Sequence, residues 1–196
     1  MPRLALVLYA LYLSLALGWR TWLQLRRTGS SGFVGISRAG VLEGLGGVLL
    51  VVSVVLGLLS SLAELTGSLA LRMPERPVLG VLIYASGLAL MLAAQRQMGA
   101  SWRIGVDPSE KTGLVMGGPF AFARNPIFSG MIAVALGLAL LVPNALALLA
   151  VAALVVGVEI QVRLVEEPYL VKQHGDAYLS WARRTGRFIP GFGRLP

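Results

Sequence analysis

The chain has 196 residues, 56% of them hydrophobic and 13% charged, with a mean hydropathy of +0.76 and a net charge of +8. That profile excludes an ordinary soluble domain and fits a polytopic membrane protein. With no cysteine and a single histidine, His174, it offers neither a disulfide framework nor a Cys- or His-rich transition-metal site, and no metal is expected.

Taken in chain order, the apolar runs predict an all-α bundle of about five membrane-spanning helices forming one membrane domain, 1–196. Each span needs ~20 apolar residues. The first is 4–23, closed by Trp19 and Trp22 as interfacial anchors. Its start resembles a signal peptide but lacks a small-residue cleavage site, so it reads as a retained span. The second span is 41–65, where Gly40, Gly44 and Gly47 suit close helix packing. The third is 78–94, followed by a long polar loop, 95–125. The fourth and fifth, 126–142 and 145–162, are short and joined at Pro143-Asn144, a turn signal, so they read as one hairpin. A polar tail, 163–196, follows.

Five spans place the termini on opposite sides. Arg20, Arg26, Arg27, Arg38, Arg96, Arg103, Lys111, Arg124 and every Lys or Arg of the tail fall on one side. Only Arg3, Arg72 and Arg76 fall on the other. The positive-inside rule makes the basic side cytoplasmic and the N-terminus external. The charge therefore reads as topology-setting flanks, with membrane lipids rather than nucleic acid as partner.

Several local patterns have a structural explanation. Gly44-Leu45-Gly46-Gly47 is no dinucleotide fingerprint, because position 49 is Leu and no strand precedes it. Glu159 and Arg163 are spaced for an i,i+4 ion pair. Asn125-Pro126 reads as a helix start, with Asn125 capping and Pro126 in the first turn. His174-Gly175-Asp176 reads as a helix end with His174 near the C-terminal dipole, then a new N-cap. The stretch 177–192 suggests a short interfacial helix with Tyr178, Trp181, Phe188 and Phe192 among arginines.

Two features exceed these explanations. Gly117–Gly130, GGPFAFARNPIFSG, opens a membrane hairpin, and Glu166-Glu167 closes it on the same side. Ionisable groups at that depth are costly, which marks a candidate site. Adjacent residues on a helix point about 100° apart, so one of the two glutamates should face the segment carrying Arg124.

In order and spacing, Gly118-Pro119-Phe120, Arg124-Asn125-Pro126-Ile127-Phe128, Glu166-Glu167, Gly175-Asp176-Ala177-Tyr178 and Arg187-Phe188-Ile189-Pro190 resemble the isoprenylcysteine carboxyl methyltransferase and phospholipid methyltransferase superfamily. The likeness spans 95–190. Asn125 stands where the family has histidine, Phe120 and Phe128 stand where it has tyrosine, and Pro168 follows the Glu pair, which introduces a kink able to re-aim a glutamate.

The resemblance implies an S-adenosylmethionine-dependent enzyme with a lipophilic acceptor entering from the bilayer. It implies Arg124, Asn125 and Glu167 as catalytic residues. Leu114, Val115, Gly118, Pro119, Phe120, Asn125, Pro126, Phe128, Glu166 and Glu167 would bind the cofactor. The alternatives are a membrane reductase of related fold holding NADPH, and a non-catalytic scaffold or small-solute carrier.

Overall fold

The computed structural model describes residues 1–32, 41–67, 74–102 and 113–196. Gly40, Arg38, Arg72, Arg103 and Lys111, invoked above for packing or topology, lie outside the described residues. Among those described, all regular structure is helical apart from one isolated bridge.

Six helices carry the architecture. Helix α1 is Pro2–Thr28, α2 Val41–Thr66, α3 Pro77–Met98, α4 Pro126–Leu141, α5 Ala145–His174 and α6 Asp176–Ala182. Proline stands in the first turn of α1, α3 and α4, where its missing N–H has no partner to lose. Helices α1, α2, α3 and α5 are long and apolar enough to cross a bilayer. Helix α4, at 16 residues, reaches only about 24 Å.

Three boundaries differ from the sequence expectation. Helix α1 runs on to Thr28, where Gly29 (φ 74°) ends it in the left-handed conformation. Helix α3 extends through Gln95–Met98, into what reads as loop. Helix α5 passes the expected stop at 162 and continues to His174. It does so through a π-helical stretch, Gln161–Glu166, that places Pro168 in the first turn of the resumed α-helix. The wider π turn absorbs the hydrogen bond that proline cannot make.

Glycines set the helix spacing. A Cβ on Gly87 would lie 2.7 Å from Gly130 O, and one on Gly137 would lie 2.6 Å from Gly80 O. Helices α3 and α4 are therefore antiparallel and in backbone contact along a seam of small residues. The α2–α5 contact uses Gly46 against Gly157; Gly44, one of the three glycines named from spacing, has open space around it.

Polar side chains tie the bundle across the apolar layer. Tyr9 donates to Val54 O (2.8 Å), Tyr84 to Leu8 O (2.7 Å) and Gln95 Nε2 to Ala16 O (3.2 Å). Asn144 caps α5 by accepting from Ala147 N and donates to Ser60 O. These contacts run α1 parallel to α3 and antiparallel to α2. The starts of α1 and α3 and the α4–α5 turn share one end of the bundle. The ends of α1, α3 and α5, the start of α4 and the C-terminal tail share the other.

The tail departs from the expected interfacial helix over 177–192. Helix α6 stops at Ala182, with Gly175 rather than Asp176 at its N-cap, and Tyr178 and Trp181 are buried. Beyond Ala182 the chain runs back across the start of α4.

Candidate functional site

The Arg-Asn-Pro turn is joined to the tail by backbone pairing. Arg124 N donates to Gly186 O (2.8 Å) and Asn125 N to Arg187 O (3.0 Å), around an isolated parallel bridge between Ala123 and Gly186. Gly186 is required there. A Cβ at this position would sit 2.0 Å from Ile189 O and 2.7 Å from Phe192 O. The tail then folds on itself, with Arg187 N donating to Phe192 O (2.7 Å).

Arg124 locks this arrangement from beneath. Its Nη1 donates to Ala182 O (2.9 Å) and Thr185 O (2.5 Å), and its Nη2 to Gly193 O (3.0 Å) and Glu167 Oε1 (2.6 Å). Those four bonds occupy all four Nη hydrogens. Arg124 Nε is buried without a hydrogen-bond partner.

Glu167 is the glutamate that faces Arg124, and it also binds Arg187. Arg187 Nε donates to Glu167 Oε1 (2.8 Å) and Nη2 to Oε2 (2.9 Å), a bidentate fork. All three residues are at most 8% exposed. Its hydrogen bonds to the Glu167 carboxylate raise the Arg187 guanidinium above its ordinary value. One carboxylate thus sits between two buried guanidiniums, leaving an excess of one positive charge.

An apolar cluster supports the ion trio. Ala94, Phe120, Tyr178, Trp181 and Ala182 form its buried centre, with Leu114, Val115 and Ile127 packed against it. Burial, followed by the neighbouring Glu167 charge, pushes the Tyr178 hydroxyl up to about 12. Gly118 takes a positive φ (59°), and a Cβ there would meet the Gln97 side chain at 3.3 Å. Pro126 is buried, while Pro119, Phe128 and Glu166 are half-buried.

Asn125 does not cap α4 as its position suggests. Its side chain makes no cap bond, and Nδ2 donates instead to Arg187 O (3.2 Å). The hydroxyl of Ser129 faces both Asn125 O (3.1 Å) and Phe188 O (2.6 Å). The tail competes for the amide that would otherwise cap the helix. Glu159 and Arg163 form the expected i,i+4 pair, which is substantially exposed.

The fold thus gathers Leu114, Val115, Gly118, Pro119, Phe120, Arg124, Asn125, Pro126 and Glu167 at one end of the bundle, with Phe128 and Glu166 at its edge. Sequence reasoning did not place Arg187 among the site residues. The signal was present in Arg187-Phe188-Ile189-Pro190, but spacing does not show that this arginine folds back onto Glu167. Two cavities of about 30 Å³ lie elsewhere, in the bundle middle beside Tyr9. Among the described residues no cluster of His, Asp or Glu could hold a metal.

The buried Arg–Glu–Arg trio between a helical hairpin and a returning tail falls largely within residues 75–177, which match the family model for phospholipid methyltransferases. That match covers more than half of the sequence, and the chain belongs to the phospholipid methyltransferase family, a family of membrane methyltransferases. A search of curated proteins finds no match, and neither does a search of solved structures.

Proposed function

We propose that this protein transfers a methyl group from S-adenosylmethionine to a lipophilic acceptor that enters from the bilayer, at a site facing the cytoplasm. The observation that carries the reading is the trio of Arg124, Glu167 and Arg187 at the basic end of the bundle. Its excess positive charge and the orphaned Nε of Arg124 suit the carboxylate of the cofactor's methionyl end. Phe120 and Phe128 supply apolar walls without ionisable groups.

When bound, the cofactor supplies a methyl group already activated on a sulfonium. The protein's task is then to position and to exclude water rather than to move protons. In this assignment Arg124 turns its free Nε to the cofactor while its Nη groups hold the tail, and Glu167, which binds both arginines, is a positioning residue. Together they set where Gly118, Pro119, Asn125, Pro126 and Phe128 stand around the cofactor. Leu114 and Val115 cover the cluster behind Phe120, and Glu166 lies at the rim beside Glu167. The acceptor's reactive group would be a carboxyl, hydroxyl or amine carried on an isoprenoid or other lipid.

The test is a thermal-shift series on purified protein in detergent with S-adenosylmethionine, its demethylated product and NADPH. The first two should raise the melting temperature and NADPH should leave it unchanged. Stabilisation by NADPH alone, or by none of the three, would overturn the assignment.

A further inference from the structure

A second charged site lies against a different face of α3 from the one that packs on the trio's apolar cluster. Arg20, near the end of the apolar part of α1, is only 4% exposed. Its Nη2 donates to Gly99 O, and its guanidinium packs against the Trp102 ring, 4.7 Å from the centroid. Its Nε and Nη1 have no hydrogen-bond partner. Three N–H donors of a buried cation are therefore unused. Among the described residues no carboxylate pairs with it. A lone buried charge is expensive, and proteins retain one where something binds it.

The surroundings say what. Beside Arg20, Trp19 and Trp22 stack on each other at 4.7 Å and are both exposed, as residues of the membrane–water interface are. Arg26 lies over Trp22, 4.2 Å from its ring centroid. That depth is where lipid phosphates lie, and the local charge is positive. Thr21 Oγ1, one residue on, is also buried without a hydrogen-bond partner. The cluster beneath the trio packs on a different face of α3. Gln95 and Gly99 meet α1, whereas Ala94 and Met98 meet the Phe120 cluster.

We infer that Arg20, backed by Trp102, is an oxyanion site that holds the phosphodiester of a bilayer lipid and thereby fastens α1 to α3. The site is independent of the methyl-transfer reaction. It exists whatever the acceptor is.

The test uses the full chain in a neutral detergent, with short-chain phosphatidylglycerol, the matching diacylglycerol and inorganic phosphate as probes. Melting temperature and native mass spectrometry read binding. Phosphatidylglycerol should bind roughly tenfold or more tightly than diacylglycerol, as a charge-assisted hydrogen bond requires. Arg20→Gln should abolish that preference and Arg20→Lys should keep part of it. Equal binding of the two lipids to the unmodified protein would overturn the proposal, even if Arg20→Gln fails to fold. Equal stabilisation by inorganic phosphate would overturn the lipid assignment in favour of a free anion. An Arg20→Gln protein that melts lower yet keeps its lipid preference would show a purely structural arginine and overturn it too.

Discussion

Replacing Glu167 with Gln keeps the size of the side chain and removes the charge shared by Arg124 and Arg187. The side chains of the two arginines are 1% and 10% exposed, so neither can turn to water without moving the tail. Breaking a buried ion pair by removing one partner costs about 3–5 kcal/mol. Here the cost falls on the contact between residues 185–193 and the Arg-Asn-Pro turn, because Arg124 holds Thr185 O and Gly193 O with the same guanidinium. A loss of about 3 kcal/mol from that docking corresponds to an opening equilibrium more than a hundredfold higher. Hydrogen exchange in detergent reads it directly at the amides of Arg124, Asn125 and Arg187, whose acceptors are Gly186, Arg187 and Phe192. Glu167→Gln should accelerate exchange at all three by about two orders of magnitude. The same change at Glu159, whose pair with Arg163 is substantially exposed, should leave them unaffected. Unchanged protection in Glu167→Gln would refute the view that this carboxylate holds the tail.

Gly186→Ala should release the same segment by sterics alone, since its Cβ would sit 2.0 Å from Ile189 O; a cooperative melt and intact protection at Arg124 would contradict this. Gly137→Ala should part α3 from α4 and lower the melting temperature by several degrees, whereas Gly44→Ala, with open space at its Cβ, should not. Glu159→Gln should cost under about 1 kcal/mol, as exposed ion pairs do. Tyr178, which titrates near 10 when unfolded and about 12 when folded, binds its proton more tightly in the native state. Its contribution is complete below pH 10 and is lost as pH rises toward 12, so an alkaline melt series should show a steeper decline for the unmodified protein than for Tyr178→Phe.

Much of the bundle was legible because its signals are local. Apolar runs long enough to cross a bilayer, prolines at helix starts and the Pro143-Asn144 turn all act within a few residues of where they stand. The helix ends were misjudged where polar composition suggested a loop but the backbone stayed helical. At α5 the π stretch 161–166 carries the helix past Pro168, and composition holds no sign of an extra residue per turn. The packing glycines divide similarly. Spacing pointed to Gly40, Gly44 and Gly47, but the rotation of the helix puts Gly46 against Gly157 and leaves open space at Gly44.

The sequence by itself determined the all-helical membrane class, the gathering of the basic motifs at one end and the family to which the motifs belong. These follow from hydrophobic length, alternation of spans and residue order, none of which needs a distant contact. Tertiary structure alone decided that Glu167 rather than Glu166 meets Arg124, that Arg187 returns to share it, and that Asn125 serves the tail instead of its helix. The physical reason is that a buried charge is satisfied by whatever the fold brings within hydrogen-bond reach. Arg124 and Glu167 are 43 residues apart, and Arg124 and Thr185 are 61 apart. Only the packed helices and the returning tail close those distances.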